Sequence, residues 1–303
     1  TIIWLYVLSV GFFAVFSSWH YYIGDYKVAQ GIARAYLPGG SSYADPNSLA
    51  TSLVLGVPFM FLLARSYKSI VLKILLATMI AACVWTIVLT GSRGGMLGII
   101  AVLFLMGLFS KHKFATLVMV IAAIIVLGLV APEQYMERFE SIAQYNQEDE
   151  TGAGNSARGR IEGLKYGFKF FLERPITGVG MENFPYHFFQ EGKGWFNPHN
   201  MVAKLFSELG IIGVIAFSFF IFRFFRILAR SKTLYRSAGW RPDFVFYMST
   251  ALQIALLMLF FQGLFGHNLY RFNWYIFAGF AAVIDNLVKT RFNQNTAIGN
   301  RSV

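Results

Sequence analysis

Apolar residues occur along the chain in runs of about 18 to 22 residues, with short polar turns between most of the runs. A helix of about 20 apolar residues is long enough to cross ~30 Å of hydrocarbon. The pattern therefore predicts an all-α polytopic membrane protein with about eight transmembrane helices in this chain. The expected spans are Ile2–Trp19, Ser48–Ala64, Ile70–Leu89, Met96–Phe109, Phe114–Ala131, Ile211–Leu228, Phe244–Phe265 and Phe272–Val288.

One long polar stretch, Pro132–Asn197, separates the fifth and sixth expected spans and contains ten acidic residues. It is too long for a simple connection and predicts a large loop outside the membrane. We expect membrane helices one to five in residues 1–131 and the loop in residues 132–197. Residues 198–303 are expected to contain a helix start outside the membrane, the last three spans and a tail.

Within this loop, apolar residues recur at helical spacing and predict an amphipathic helix that ends at Pro175. Its expected apolar stripe consists of Ile161, Leu164, Phe168 and Phe171. The opposite face is expected to carry Arg158, Glu162, Lys165 and Lys169.

The composition agrees with a membrane protein and excludes several other classes. Hydrophobic residues make up 56% of the chain, charged residues 14%, and the mean hydropathy is +0.54. These values exclude a water-soluble globule, a disordered chain and a nucleic-acid-binding tail protein. Cys83 is the single cysteine, which excludes an internal disulfide and a multi-cysteine metal site. The chain begins at Thr1 inside an apolar run without a basic leader, so we expect earlier spans and no signal peptide.

The net charge of +11 is explained by its distribution between the two sides of the membrane. One side holds 14 basic residues (Lys and Arg) and 2 acidic residues (Asp and Glu). The other side holds 12 basic and 13 acidic residues. Lys and Arg are enriched in cytoplasmic connections, so the basic side is expected to be cytoplasmic. The basic segments are Arg65–Lys68, Lys111–Lys113, Arg223–Asp243 and the tail after Val288. The charge therefore orients the spans and is weak evidence for an acidic ligand.

The turn Thr90–Gly95 between the third and fourth spans is the first candidate site. Its glycines permit positive φ angles, and successive backbone N–H groups in such a turn can bind an anion. Arg93 adds a planar donor group suited to phosphate oxygens, on the side where cations are not favoured. The alternative is a glycine turn whose arginine extends to the membrane surface.

The segment Asn155–Arg160 is the second candidate. Asn155 or Ser156 can cap the amphipathic helix, and its free N–H groups would then lie beside Arg158 and Arg160. That combination suits a phosphate. A solvated first helical turn is the alternative interpretation.

The third candidate is the segment Trp195–Asn200. Asn197 is the expected helix cap and Pro198 the first helical residue, which places His199 in the first turn and Asn200 after it. The positive end of a helix disfavours imidazolium, so we expect a neutral His199 able to accept a proton from a hydroxyl. The alternative is a structural histidine. His267 and Arg271, in a short turn before the last span, either join the site or form an interfacial cap.

These segments together resemble the bacterial O-antigen ligase and polymerase family, the Wzy/WaaL type. The resemblance rests on the order and spacing of several short motifs between about Asp45 and Phe217. They are Asp45–Asn47, Gly91–Gly95, Gly159–Leu164, Glu173–Gly180 with Phe184, Pro198–Asn200 and Glu208–Gly213.

The resemblance implies a membrane glycosyltransferase of the bacterial inner membrane. It would take a glycan from an undecaprenyl-diphosphate carrier on the periplasmic face and attach it to a hydroxyl of lipid A-core, of a growing glycan or of a protein. Arg93 and Arg160, with Arg158 beside it, would grip the diphosphate, and His199 would act on the acceptor hydroxyl. No metal or other cofactor is implied, and a single displacement would invert the anomeric centre. Family members usually have ten to twelve spans.

Two questions stay open in the sequence. The motifs are shared by ligases and polymerases, and they do not separate either from a protein oligosaccharyltransferase. A transporter for a solute or a lipid-linked glycan could use the same spans and treat the arginines as an anion site. Transporters often contain inverted repeats and broken helices at the midplane. The sequence shows no repeat, and its candidate groups cluster at the outer ends, which favours an enzyme.

Overall fold

The computed structural model describes residues 2–29, 31–39, 43–108, 118, 121, 125, 153–266 and 268–299. For residues 153–158, 160 and 295–299 it describes the backbone alone. Within these ranges the regular secondary structure is helical apart from one short hairpin, and turns and loops connect the elements. The helices are α1 Ile2–Tyr22, α2 Pro46–Ser66, α3 Ile70–Leu89, α4 Arg93–Leu108, α5 Ala153–Glu173, α6 Phe184–Gln190, α7 Met201–Ser237, α8 Phe244–Gly263 and α9 Asn273–Gly299. Strands β1 Lys27–Ala29 and β2 Ile32–Arg34 pair antiparallel, with Ala29 opposite Ile32.

Five of the described helices, α1, α2, α3, α7 and α8, are long and apolar enough to cross a membrane. The predicted class, an all-helical polytopic membrane protein, is therefore confirmed. The boundaries differ in places: α4 is a shorter apolar helix of 16 residues, and α7 is a single element of 37 residues. The expected span Phe114–Ala131 lies outside the continuously described residues.

Two helices form the centre of the bundle. In α2, 72% of the most apolar 18-residue stretch is buried, and in α8 61%. The corresponding share in α1, α3 and α7 is 22–28%. Helix α2 packs on α1, α3, α4 and α8. The outer helices therefore bury one face and leave the other apolar face outward, as helices in contact with lipid do.

Small residues let these helices approach closely. A Cβ atom added to Gly95 in α4 would lie 2.7 Å from the Cβ of Ala50 in α2 and 3.2 Å from Ile87 in α3. A Cβ on Gly56 in α2 would lie 2.6 Å from Val10 in α1. Because lipid removes most of the hydrophobic drive between helices, such close packing is a main source of their association.

Side-chain contacts join the helix ends in two groups. At one end, here called the cavity end, Arg34 contacts the carbonyl of Thr90, and Asn200 contacts that of Leu264. At the opposite end, Trp4 Nε1 donates to the Tyr67 hydroxyl at 3.1 Å, and Arg291 pairs with Asp243. The ends that meet are those that the charge distribution assigns to the same side.

Helix α5 is the predicted amphipathic helix, but it packs through a different face from its apolar stripe. Gly163, Gly167 and Phe170 are buried against the start of α7 and its neighbours. Ile161 and Phe168, from the predicted apolar stripe, are 59% and 61% exposed. Glycines allow the backbone of α5 to lie directly on Pro198 and Ala203, and this decides which face is buried.

Helix α7 differs from the expectation at its N-terminus and contains a bend. Its N-cap is Asn200, whose Oδ1 accepts from Val202 N at 2.8 Å and Ala203 N at 3.1 Å, so the expected cap at Asn197 is wrong. Pro198 and His199 precede the helix and do not form its first turn. The helix is also bent at Gly210, which has φ 58° and ψ −162° inside an otherwise helical run.

We expect Gly95→Leu to destabilise the protein by about 1–3 kcal/mol, because the new side chain meets Ala50 and Ile87. Gly279→Leu is the matched control, since Gly279 is a helical residue and a Cβ added there would have no heavy atom of another segment within 4 Å. Thermal unfolding of the two purified variants in one detergent measures the difference. Equal melting temperatures would contradict close packing of α4 on α2.

Candidate active-site cavity

A cavity of about 120 Å³ lies at the cavity end, where α2 and α4 begin, α8 ends and α9 begins. Its walls are mostly basic, hydroxyl and amide side chains. They include Arg34, Asp45, Asn47, Ser48, Ser92, Arg93, His199, Gln262, Asn268 and Arg271. The structure thus brings two predicted site residues, Arg93 and His199, to one cavity from distant parts of the chain.

Side-chain hydrogen bonds shape the turn that carries Arg93. Gly91 has φ 58°, a conformation that the glycines of this turn permit. Thr90 Oγ1 accepts from Ser92 N at 3.2 Å, and Ser92 Oγ accepts from Gly95 N at 3.2 Å. Arg93 is therefore the first residue of α4, half-buried at the positive end of the helix dipole. A cation is unfavourable there by itself, whereas an anion in the cavity would be stabilised by both groups.

Arg34 ties this turn to the start of α2. Its Nε donates to the Thr90 carbonyl at 2.6 Å, and its Nη2 donates to Asn47 Oδ1 at 2.9 Å. The side chain satisfies a carbonyl at the end of α3 that has no partner within the helix. Arg34 is only 5% exposed, and no sequence motif pointed to it. The available signal was a lone arginine on the side expected to be poor in cations.

The start of α2 forms the next wall. Asp45 caps the helix: its Oδ2 accepts from Ser48 N at 2.9 Å and from Ser48 Oγ at 2.8 Å. Arg271, from the turn before α9, donates through Nη2 to Ser48 Oγ. The N-termini of α2 and α4 therefore meet at the cavity. Arg271 links the turn before α9 to the start of α2. His267 lies outside the described residues.

Two buried amides in the cavity wall carry atoms that have no hydrogen-bond partner among the described residues. They are Gln262 Nε2 and Asn268 Oδ1, in residues that are 4% and 6% exposed. An unpaired buried polar atom costs free energy comparable to a lost hydrogen bond. Both residues line the cavity, so a ligand or water bound there would provide the missing partners.

His199 is exposed at the cavity, between buried Pro198 and buried Asn200. Asn200 holds this segment in place, since it caps α7 through Oδ1 and donates through Nδ2 to the Leu264 carbonyl at 3.3 Å. The ring of Phe196 contacts His199 edge to face at 5.9 Å between centroids.

Helix α5 supports the same segment from the other side. A Cβ on Gly159 would lie 3.1 Å from the Phe196 ring, and one on Gly163 would lie 3.1 Å from Pro198. The glycines of the predicted motif Gly159–Leu164 therefore serve helix packing. Arg158 and Arg160 belong to α5, but their side chains lie outside the described residues.

A buried ionic cluster anchors the start of α7. Glu208, fully buried, accepts from the Tyr270 hydroxyl at 2.6 Å, from Glu182 N at 3.0 Å and from Phe184 N at 3.3 Å. Lys204 is 1% exposed; its Nζ lies 2.7 Å from Glu182 Oε1, 3.9 Å from Glu208 Oε1 and 4.9 Å from the Tyr270 ring centre. Burial, followed by the hydrogen bond to Glu208, raises the pKa of Tyr270, which keeps its hydroxyl a donor.

The loop before α6 closes the bend in α7. Val179 N donates to the Ser207 carbonyl at 2.8 Å, and Gly180 N donates to the Glu208 carbonyl at 3.0 Å. Beyond the bend, Ile211 N donates to the Pro175 carbonyl at 2.8 Å. The loop thus pairs backbone groups that the positive φ at Gly210 removes from the helix.

Among the described residues, no group of three or more His, Cys, Asp or Glu side chains could hold a metal ion. A bundle of apolar helices with a polar cavity at one end is the arrangement of a multi-pass membrane protein whose candidate site lies at the ends of its spans. A comparison with known protein families narrows this class of membrane protein further. Residues 77–218 match the family model Wzy_C, described as O-antigen ligase, so this part of the chain is similar to that family.

The family indicates a glycosyltransferase-like enzyme, a ligase or polymerase, which acts at a lipid bilayer on glycan substrates. No curated protein matches the chain. The matched range includes Arg93, His199 and Glu208. Arg34, Asp45, Gln262 and Arg271 lie outside it, and the fold adds them to the same site.

We expect Glu208→Ala to destabilise the protein by about 3 kcal/mol or more, because it leaves the buried Lys204 charge and the Tyr270 hydroxyl without this partner. Glu208→Gln keeps a carbonyl acceptor and should lose less. Glu191→Ala is the control, since Glu191 pairs with Lys169 at the surface, where a pair is worth at most about 1 kcal/mol. Thermal unfolding in detergent measures all three, and equal losses for Glu208→Ala and Glu191→Ala would contradict the anchoring role.

Proposed function

We propose that the chain is a membrane glycosyltransferase of the O-antigen ligase type, with its active site at this cavity. It transfers a glycan from an undecaprenyl-diphosphate carrier to a hydroxyl of lipid A-core on the periplasmic face of the inner membrane. One observation carries the proposal: Arg93 and His199 line one cavity, together with the N-termini of α2 and α4.

The cavity suits the diphosphate of the donor. Arg93 and Arg271 provide charged donors, and two helix N-termini add partial positive charge. The unpaired Gln262 Nε2 is a further donor for a phosphate oxygen. These groups are in place before reaction, so they can stabilise the negative charge that develops on the departing diphosphate. Arg34 keeps the Arg93 turn against α2 through its bonds to Thr90 and Asn47.

His199 is proposed as the general base. It accepts the proton of the acceptor hydroxyl while that oxygen attacks the anomeric carbon of the donor sugar. The bond from this carbon to the diphosphate oxygen breaks, and the lipid diphosphate leaves with the electron pair. A single displacement of this kind inverts the anomeric centre. The exposure of His199 supports this role, because an acceptor can reach the ring without a change in the bundle.

The remaining predicted residues take supporting roles in this proposal. Asn200 positions His199 by capping α7. Arg160, with Arg158, is proposed as a second grip on the donor, since α5 packs on Phe196 and Pro198, just before His199. His267 stays a proposed substrate contact in the same turn as Arg271.

The orientation follows from the charge distribution. Arg65, Lys68 and the basic segment Arg223–Arg241 belong to the end opposite the cavity, and basic connections favour the cytoplasm. The cavity then faces the periplasm, where lipid-linked glycans are exposed.

The test uses purified protein in liposomes with an undecaprenyl-diphosphate glycan and three acceptors: lipid A-core, a second lipid-linked glycan and a serine-containing peptide. We expect product with lipid A-core. Product with the second glycan alone would identify a polymerase, and product with the peptide alone a protein oligosaccharyltransferase. Appearance of donor inside the vesicles without any product would contradict the proposed enzymatic function and would indicate a transporter.

His199→Ala should lower transfer by about 10²–10⁴-fold and leave donor binding unchanged, as expected for loss of a general base. Arg93→Ala should weaken donor binding. The controls are His187→Ala and Arg174→Ala, which change the same residue types away from the cavity. Full transfer activity of His199→Ala would contradict the proposed role of His199 as general base. Unchanged donor affinity of Arg93→Ala would contradict the proposed contact between Arg93 and the diphosphate.

Gln262 gives a sharper prediction, because its effects on stability and on binding have opposite signs. Gln262→Leu removes an unpaired buried donor, so we expect equal or higher thermal stability together with weaker donor binding. Gln262→Glu should weaken binding further through repulsion of the diphosphate. Donor titration and thermal unfolding of the same preparations measure both effects. Unchanged donor affinity in both variants would show that Gln262 does not contact the donor.

A further inference from the structure

Three residues of the predicted apolar stripe of α5, Ile161, Leu164 and Phe168, are exposed, and Leu172 continues their face. Four large apolar side chains, Ile161, Leu164, Phe168 and Leu172, are 45–62% exposed. They recur at intervals of three and four residues, so they form one face about 16 Å long at 1.5 Å per residue. A contiguous exposed apolar face of this kind marks an interaction surface. We call these four residues the α5 stripe.

The exposed apolar surface continues from the α5 stripe to the membrane span of α7. Directly after α5, the carbonyl of Ile176 accepts from Ile212 N at 3.3 Å, at the bend where α7 enters its apolar section. Ile176 and Ile212 are 62% and 57% exposed, and Ile215 one turn further is 63% exposed. The outward residues of this section of α7 are those that lipid must cover in a membrane span.

The borders of the stripe match a helix that lies in a membrane interface. Lys165 and Lys169 follow the stripe on one side, where ammonium groups can reach phosphate headgroups while their stems lie on apolar surface. Lys169 also pairs with Glu191 and Glu173, which keeps this side polar. On the other side, Phe171 contacts the ring of Phe206 in α7 at 5.3 Å, so the apolar surface stays joined to the bundle.

We propose that α5 lies in the interface of the bilayer leaflet at the cavity end, with the α5 stripe inserted at the boundary between headgroups and acyl chains. This placement rests on the membrane class of the protein. Its consequence rests on the proposed function: α5 holds the Phe196–Asn200 segment at headgroup depth, where the diphosphate of a lipid-linked donor lies.

The test places a fluorescent probe on single cysteines introduced by Leu164→Cys and Phe168→Cys. Cys83 is fully buried and can stay in the protein. Glu173→Cys, on the polar side of the same helix, is the matched control. The labelled proteins are reconstituted in nanodiscs whose lipids carry bromine on the acyl chains. We expect severalfold stronger quenching by brominated lipid at positions 164 and 168 than at 173, and the reverse order with aqueous iodide.

Two results would overturn the placement. Strong iodide quenching at 164 and 168 without quenching by brominated lipid would show a water-exposed face. Weak quenching by both agents would show that protein, such as residues 126–150 of this chain, covers the stripe. Because the measurement does not use glycan transfer, a failure here leaves the proposed reaction standing. A failure of the transfer assay likewise leaves the interfacial placement standing.

Discussion

A buried carboxylate at the bend of α7 is the interaction on which the cavity end depends. Glu208 is fully buried, so it must be surrounded by donors or lose several kcal/mol of solvation. Its donors come from α6 and its approach, at Glu182 and Phe184, and from the turn before α9, at Tyr270. One side chain thus joins three segments that are remote in sequence. Two of them carry residues that line the cavity, because His199 precedes α7 and Arg271 follows Tyr270.

The break in the backbone beside this carboxylate lets the large loop join the membrane bundle. A continuous α7 would offer no free carbonyl to the loop, since every backbone group would pair within the helix. The positive φ at Gly210 frees these groups, and Gly178 comes so close to Glu208 that a Cβ there would lie 2.4 Å from its backbone. The contact between the loop and α7 therefore requires both glycines, Gly210 for the bend and Gly178 for the close approach.

Two of the residues that the sequence proposed for a site line one cavity, whereas one expected helix cap was wrong. Arg93 and His199 can be found because a lone cation and a lone histidine stand beside turn signals at expected outer ends, and the fold brings both to one cavity. The cap of α7 is Asn200 and not the expected Asn197, and the two are easily confused because both are asparagines near a proline. Arg34 and Gln262 escape sequence reasoning. An arginine in a short hairpin and a glutamine late in an apolar helix gain meaning only from the segments they meet.

The sequence by itself determined that the chain is a helical membrane protein, how its ends divide between two sides, and which family it resembles. Apolar run length and charge distribution are local properties, and the bilayer constrains them directly. Only the tertiary structure decided which ends meet around the cavity, which face of α5 is buried, and that Glu208 is a structural centre. These outcomes depend on close contact between distant segments, at Gly95, Gly163 and Gly178, where the absence of a side chain sets the distance.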